Sequence, residues 1–211
     1  IWSSFLLNTF VTVTLYDSED QEILDGAMKL CSEYEQKLST TIETSEIYVM
    51  NHRQPGERTF TVSEETAEVI EKGLEYSRLS DGVFDITIEP LSSLWNFTGA
   101  DPHVPSEDAI REELSKVGYE NVSVSGNQIT FANDVTTIDL GAIAKGYIAD
   151  RMKEYLKSQG VESAIINLGG NVLCVGERPG GKPFKIGLQK PFADRTETVA
   201  SLEDRKSTRL N

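Results

Sequence analysis

The N-terminal part of the chain changes from a strand-like to a helix-like pattern of apolar residues. Residues 5–16 are rich in β-branched and aromatic side chains, and polar and apolar positions alternate from Thr9 onward, which predicts a half-buried strand. From 23 to 38 apolar residues recur at helical spacing and predict an amphipathic helix. The pattern then predicts a polar loop to about residue 58, a short strand ending at Val62, and a helix capped by Ser63 that ends near residue 80.

The second half of the chain mixes short strands and helices without strict alternation. The loop 81–105 contains two glycines and three prolines and is long for a connection, which favours a functional role. We predict an α+β fold with mixed or antiparallel sheets and packed helices, in a single domain over residues 1–203. The remaining expected elements are a helix from Ser106 to 117, a hairpin of 122–124 and 128–131 turning at Gly126-Asn127, a strand at 137–140, a helix at 144–159, and strands at 163–168, 172–175 and 184–188.

Charge and composition narrow the possible functions. The formal net charge of -14 argues against nucleic acid, because phosphate binding needs a basic face and no Lys/Arg-rich run occurs before the extreme C-terminus. Cys31 and Cys174 lack CxxC spacing and are expected to be small buried side chains. His52 and His103 belong to no HExxH motif or His/Cys cluster, so a zinc enzyme is not indicated.

The most informative segment is 137–151, in which a β-branched strand is expected to turn through Gly141 into a helix. Backbone N–H groups at a helix start favour an anion, Asp139 can accept hydrogen bonds from ribose hydroxyls or a base edge, and Lys145 can neutralise phosphate. The combination suits a nucleotide diphosphate, although it is neither a Walker A loop nor a GxGxxG motif. By spacing alone, an N-cap role for Asp139 and a solvated charge at Lys145 is the commoner interpretation.

Two further segments carry residues with possible binding roles. Gly169 and Gly170 follow an apolar strand directly, and glycines there allow close approach of a ligand or of another strand, a tight turn or bulge being the alternative. In 82–91 an extended stretch would direct Phe84 and Ile86 to one side and the polar pair Asp85 and Thr87 to the other. That pair could face a heteroaromatic ligand, whereas core packing is the usual fate of such a phenylalanine.

Together these segments resemble the motifs of the ApbE family. DLGAIAKGYIADR, beginning at Asp139, is similar to the family's most recognisable motif, and INLGGNV to its second glycine motif. GVFDITIEPL resembles the Phe-Asp-x-Thr-x-x-Pro-Leu segment, and a Ser-Glu-Ile followed by Asn51 matches a pattern upstream. The order and spacing of all four agree as far as about Pro191.

The resemblance implies an ApbE-like flavin transferase fold and an enzyme that moves the FMN half of FAD onto a threonine hydroxyl of a target protein, releasing AMP. By the same resemblance, Asp139 and Lys145 should contact FAD, and the backbone carbonyl of Ala142 should ligate Mg²⁺. The resemblance further places Phe84, Asp85 and Thr87 in the flavin nucleotide site, with Gly169, Gly170 and Asn171 nearby. Two positions depart from the family, Leu7 where methionine is frequent and Thr41 where many members have an aromatic residue.

The family pattern also includes a C-terminal Ala-Asp-x-x-x-Thr stretch with the other Mg²⁺ ligands, preceded by a His-Ile-x-Asp-Pro segment, and this sequence contains neither. We therefore expect the fold to be incomplete at the C-terminus, the catalytic residues to lie in the missing part, and the 211-residue polypeptide to bind FAD weakly with negligible transferase activity. The alternatives are hydrolysis of FAD to FMN and AMP, and a noncatalytic flavin-binding module.

The two ends of the sequence carry expectations of their own. Residues 204–211 differ in character from everything upstream and are expected to be a non-native tail, a basic tail being the alternative. Family members are usually exported and often lipid-anchored, which implies a location in the bacterial cell envelope and possible membrane anchoring through an N-terminal lipid signal that lies outside this sequence.

Overall fold

The computed structural model describes residues 1–97, 99, 101–192, 197–204 and 209–210, and it divides into two compact units, 1–33 with 145–211 and 34–144. The strands are β1 (Trp2–Leu6), β2 (Thr9–Leu15), β3 (Thr59–Thr61), β4 (Val122–Ser125), β5 (Gln128–Phe131), β6 (Ala164–Leu168), β7 (Asn171–Val175), β8 (Phe184–Gln189), β9 (Thr198–Asp204) and β10 (Arg209–Leu210). The helices are α1 (Gln21–Leu38), α2 (Glu46–Asn51), α3 (Glu64–Leu79), α4 (Glu89–Ser92), α5 (Glu107–Leu114) and α6 (Gly141–Ser158). Antiparallel sheets combined with helices confirm the predicted α+β class.

The first unit is built on a five-stranded sheet in the order β1-β2-β6-β7-β10. Its apolar residues alternate along β2 and β6, so that Val11, Val13, Ile166 and Leu168 are fully buried on one face. A close approach of α1 and α6 adds to this core, because a side chain at Gly26 would collide with the Tyr155 hydroxyl. Strands β8 and β9 form a separate two-stranded sheet in the same unit.

The single strand expected over residues 5–16 is wrong, because a turn divides it into β1 and β2. Leu7 and Asn8 both have a φ of 55°, the left-handed geometry that joins antiparallel strands in a tight hairpin. Neither residue is glycine, so the sequence lacks the usual Asn-Gly or Asp-Gly signal for such a turn.

The second unit combines the sheet β3-β5-β4 with helices α2 to α5. Ile70, Leu74, Ile129 and Phe131 form its buried centre. The predicted helix after Ser63 and the hairpin of β4 and β5 are confirmed. The sequence pattern did not predict the short helices α2 and α4. The helix predicted to end at residue 117 ends three residues earlier, at Leu114 of α5.

The predicted strand at 137–140 is wrong, since these residues pair with no strand in the described sheets. Side chains hold the preceding loop instead, because Arg53 donates hydrogen bonds to the carbonyl oxygens of Asn133 and Thr136 at 3.1 and 2.7 Å. The guanidinium also lies 3.9 Å from the centre of the Phe131 ring, and its burial lowers the pKa of Arg53. A side chain from outside this loop therefore satisfies part of its backbone, where the prediction required a neighbouring strand.

Two expectations about the ends and limits of the fold stay predictions. Of the proposed tail 204–211, the structure describes Asp204 at the end of β9 and the backbone of β10, which pairs with β7, while 205–208 and 211 lie outside the described residues. The prediction of a single domain over residues 1–203 also stays a prediction, because the division into two compact units does not test it. Among the helices of the described chain, none combines the length and apolar character needed to cross a bilayer.

Candidate functional site

Asp139 closes the turn that begins α6. Its Oδ1 accepts a hydrogen bond from the Gly141 N–H at 2.7 Å, and a Cβ at position 141 would lie 3.0 Å from that oxygen. Asp139 is half-buried, whereas Gly141 and Ala142 are exposed. The start of α6 therefore lies at the protein surface. The Gly141 N–H is bonded to Asp139, and the partial positive charge of the helix start at the exposed Ala142 favours an anion. Asp139 thus caps the start of α6, as the N-cap interpretation predicts, but only one of its two carboxylate oxygens is used for this.

The second carboxylate oxygen of Asp139 is less engaged. Its Oδ2 accepts from the Ser92 hydroxyl across 3.4 Å, which is long for an O–H···O bond. The Asp139 N–H donates to the Ile86 carbonyl at 2.8 Å, which fixes the backbone. The backbone from which the Asp139 side chain extends is therefore held in place. Its Oδ2 atom can still accept a hydrogen bond from a ligand.

Asn51, the last residue of α2, pairs with both backbone groups of Ile138. Its Oδ1 accepts from the Ile138 N–H and its Nδ2 donates to the Ile138 carbonyl, each at 2.8 Å. In the sequence Asn51 stood out only as part of an upstream motif. A polar residue directly after the buried Met50 was the available signal, but nothing in the sequence named its partner.

The donor set in the described chain does not by itself fit Mg²⁺. Ala142 is exposed, and a carbonyl oxygen in the first turn of a helix keeps a second lone pair beside its intrahelical bond. Mg²⁺ prefers about six oxygen ligands in an octahedral array. Nowhere in the described residues do three or more His, Cys, Asp or Glu side chains gather as a metal site would require. The carbonyl of Ala142 can supply one ligand and leaves the others to come from elsewhere.

Lys145 lies one turn into α6 and is half-buried. The helix is continuous from Gly141, so the lysine, the exposed amides and Asp139 follow one another within seven residues of chain. The predicted helix start at 144 is therefore three residues late. Asp139 therefore directly precedes the first turn of α6 and Lys145 follows one turn later, at a helix start of the kind that can bind an anion.

Asp85 and Thr87 lie in a turn, so the expected extended stretch with alternating faces is wrong. Asp85 Oδ1 accepts from both the N–H and the hydroxyl of Thr87 at 2.7 Å, and its Oδ2 accepts from the Tyr119 N–H at 3.0 Å. The Thr87 hydroxyl is fully buried and also accepts from the Gly118 N–H at 2.8 Å. The pair therefore connects this turn to residues 118 and 119, and direct contact with a flavin nucleotide stays a prediction.

Phe84 and Ile86 pack towards α3. The Phe84 ring meets that of Tyr76 edge-to-face at 6.4 Å, and Ile86 is buried against the helix. A Cβ at Gly73 would lie 2.6 Å from Ile86 Cγ2, so glycine is what allows this contact. Since the Ile86 carbonyl also holds Asp139, Gly73 contributes to the site from a distance, a role that the helical pattern did not reveal.

Gly169 and Gly170 form the turn between β6 and β7, with φ values of 63° and 98°. The Gly169 N–H donates to the Phe10 carbonyl, and a Cβ there would lie 2.3 Å from Thr9 Oγ1. The close approach at Gly169 is therefore to a neighbouring strand, one of the two possibilities considered. Gly170 has open space on its Cβ side, and Asn171 begins β7 half-buried.

The candidate residues fall into both units of the structure. Phe84, Asp85, Thr87, Asp139 and Ala142 belong to the unit 34–144, and Lys145, Gly169, Gly170 and Asn171 to the other. Within the first of these groups, Ile86 links the turn at 84–87 to Asp139. That Gly169, Gly170 and Asn171 lie near the flavin nucleotide site, as the family resemblance implies, stays a prediction.

Comparison with known proteins gives this arrangement a family. The sequence profile described as the ApbE family matches residues 7–208. The chain belongs to the ApbE family. The ApbE protein from Thermotoga maritima has the same fold, with a TM-score of 0.87 and 31% identity over 99% of this chain and 68% of that one. The flavin transferase ApbE from Vibrio cholerae matches with a TM-score of 0.82 and 26% identity over 96% of this chain and 66% of that one.

Relatives of the ApbE family with assigned names extend the comparison. The FAD:protein FMN transferase of Klebsiella pneumoniae is 34% identical over 203 residues, 95% of this chain and 62% of that protein. That of Vibrio cholerae is 30% identical over 177 residues, 83% of this chain and 53% of that protein. The chain thus spans between half and two thirds of the length of these relatives, and the ApbE-like fold predicted from the motifs is confirmed.

Proposed function

We propose that the full-length protein carrying this chain transfers FMN from FAD to a threonine hydroxyl of an acceptor protein and releases AMP. The relatives named FAD:protein FMN transferase support FAD as the donor and a protein as the acceptor. The start of α6 is the observation that supports the proposal most directly. There Asp139, the exposed residues Gly141 and Ala142, and Lys145 follow one another after a turn that a hydrogen bond from the Gly141 N–H to Asp139 closes.

The proposed reaction breaks the pyrophosphate of FAD. The acceptor hydroxyl oxygen forms a bond to the FMN phosphorus, the bond from that phosphorus to the bridging oxygen breaks, and the AMP phosphate leaves with that oxygen. The hydroxyl proton goes to a base or to water. In-line phosphoryl transfer of this kind depends on positioning and on stabilising the charge of the phosphates.

The residues of this chain would bind and orient the donor. Asp139 Oδ2 would accept a hydrogen bond from a ribose hydroxyl or a base edge. The Gly141 N–H is bonded to Asp139 Oδ1, so the N–H of the exposed Ala142 would face a phosphate. Lys145 would neutralise phosphate charge. Asp85 and Thr87 would act indirectly, by holding the turn whose Ile86 carbonyl fixes Asp139.

We further propose that the Ala142 carbonyl oxygen would be one ligand of a bound Mg²⁺. The remaining ligands would come from FAD, from water and from residues outside this sequence. A bound Mg²⁺ would offset the negative charge that develops on the pyrophosphate. Calorimetric titration of Mg²⁺ into the full-length protein with FAD present, compared with protein alone, tests this, and equal weak binding in both would contradict it.

The transfer is tested with full-length protein, FAD, Mg²⁺ and an acceptor protein, using covalent flavin fluorescence on the acceptor and AMP release as readouts. An acceptor with its threonine replaced by alanine should stay unlabelled. Asp139→Ala should slow transfer by roughly tenfold to a hundredfold, the loss of a hydrogen bond to a charged group. Asp134→Ala, an exposed carboxylate in the preceding loop that pairs with Arg58, is the matched control and should have little effect.

The other outcomes of this experiment are informative. FMN and AMP free in solution would indicate FAD hydrolysis, and bound flavin without AMP would indicate a noncatalytic flavin-binding module. Absence of any flavin binding would refute the proposal.

We also propose that the protein works on the exported side of the bacterial cytoplasmic membrane, held by a lipid anchor. The resemblance to exported family members supports this location. Fractionation of cells expressing the full-length gene, with protease access to intact spheroplasts, tests it. Recovery of the protein in the protected soluble fraction would contradict it.

A further inference from the structure

Asn51 supplies the hydrogen bonds that a neighbouring strand would otherwise make. Residues 137–140 pair with no strand in the described sheets, and the Asn51 carboxamide bonds to both the N–H and the C=O of Ile138. The two residues are 87 positions apart in the chain, so the contact is tertiary and not a local turn.

The chemistry of the carboxamide explains why this position is asparagine. Its oxygen accepts and its nitrogen donates within one plane, which matches the paired donor and acceptor of an extended backbone residue. A carboxylate offers acceptors alone, and an alanine offers neither group. Loss of the side chain would leave two partly buried backbone groups of Ile138 without partners.

The next residue in the chain is the proposed ligand-binding carboxylate. With Ile138 held on one side and the Asp139 N–H bonded to the Ile86 carbonyl on the other, the backbone at Asp139 is fixed from two elements. The Asp139 side chain in turn orients the Gly141 N–H. A shift at Ile138 would therefore move both the carboxylate and the first amides of α6.

We propose that Asn51 is a positioning residue of the nucleotide site, which sets the geometry of Asp139 and of the α6 amides towards the FAD pyrophosphate without touching it. This inference rests on the proposed function. Displacements of about 1 Å at such a site cost large factors in rate or affinity. Replacing Asn51 should therefore weaken FAD binding by more than its effect on protein stability would explain.

The test compares Asn51 with Asn133, which also bonds two backbone amides in the same segment. Asn133 Oδ1 accepts from the Val135 and Thr136 N–H groups at 3.0 and 2.8 Å. FAD dissociation constants, thermal midpoints and amide exchange at 138–141 are measured on the full-length protein for Asn51→Ala and Asn133→Ala. We expect Asn51→Ala to weaken FAD binding at least about tenfold and to speed exchange at 138–141. Asn133→Ala should lower the thermal midpoint comparably, with FAD affinity within about twofold.

A second pair of variants guards against misfolding of the alanine variant and against charge effects. Asn51→Asp keeps the acceptor for the Ile138 N–H and loses the donor, whereas Asn133→Asp keeps both of its bonds and adds the same charge. We expect weaker FAD binding for Asn51→Asp than for Asn133→Asp. Equal FAD affinity of the Asn51 and Asn133 variants, in a protein that binds FAD, would overturn the positioning role and leave the proposed function standing. Failure of the unmodified protein to bind FAD would overturn both.

Discussion

At the scale of single residues, polar side chains in this protein act largely on the backbone of other segments. Asp85 and Thr87 join a turn to Gly118 and Tyr119, and Asn51 completes the hydrogen bonds of Ile138. Buried polar groups need partners, so each of these side chains satisfies groups that would otherwise be costly to bury. A motif residue can therefore hold the backbone of a distant segment, a role that does not require contact with a ligand.

The paired glycines offer a prediction at this scale. Gly169 and Gly170 both have positive φ, which costs an alanine about 1–2 kcal/mol. At Gly169 the new Cβ would also lie 2.3 Å from Thr9 Oγ1, which adds an overpacking cost of about 1–3 kcal/mol. Urea unfolding should therefore show a larger stability loss for Gly169→Ala than for Gly170→Ala. Equal losses would mean that the contact with Thr9 relaxes freely.

At the scale of elements, the site depends on how a turn packs on a helix. Ile86 is buried against α3 at Gly73 and presents its carbonyl to the Asp139 N–H at 2.8 Å. Helix α3 therefore supports the start of α6 through one intermediate residue.

Gly73→Ala should destabilise the protein, against the general helix preference. Alanine in a helix interior is favoured over glycine by about 1 kcal/mol, whereas a Cβ at 2.6 Å from the stiff, β-branched Ile86 costs about 1–3 kcal/mol. We expect a net loss of about 1 kcal/mol in urea unfolding, because the steric cost exceeds the gain in helix preference, together with weaker FAD binding. The control is Glu71→Ala, at an exposed position on the same helix, which should change stability by less than about 0.5 kcal/mol. A more stable Gly73→Ala protein would show that Ile86 moves aside.

At the scale of the whole molecule, both cysteines lie inside the fold. The side chains of Cys31 and Cys174 are buried thiols, as expected from their spacing. Burial raises the pKa of the Cys174 thiol to about 11, with the Asp204 carboxylate adding to the effect. The reactive thiolate is therefore scarce in the native state.

Alkylation should consequently report unfolding and not surface chemistry. With iodoacetamide and mass spectrometry, neither thiol should be modified in the native protein, and both should be modified in guanidinium. Raising the pH from about 7 to about 9 would ionise an ordinary thiol, but should leave Cys174 protonated, because its raised pKa lies above that range. Rapid native labelling of Cys174 at pH 9 would contradict its burial.

The α+β class, the long helices and the order of the motifs could be predicted from the sequence. Amphipathic periodicity predicts α1 and α3, because a helix of that length has to bury one apolar face whatever its neighbours are. The hypothesis that this turn binds a nucleotide came from Asp139, Gly141 and Lys145, whose spacing is local and therefore visible along the chain, and it stays a prediction.

What the tertiary structure decided concerns partners distant in sequence. Residues 137–140 have the composition of a strand, but a side chain from α2 takes the place of the neighbouring strand. Asp85 and Thr87 have the alternation of a strand, but backbone amides at 118 and 119 draw them into a turn. Hydrogen-bond partners that lie tens of residues away leave no period in the sequence, so local patterns predicted the elements while only the packed structure showed what positions Asp139.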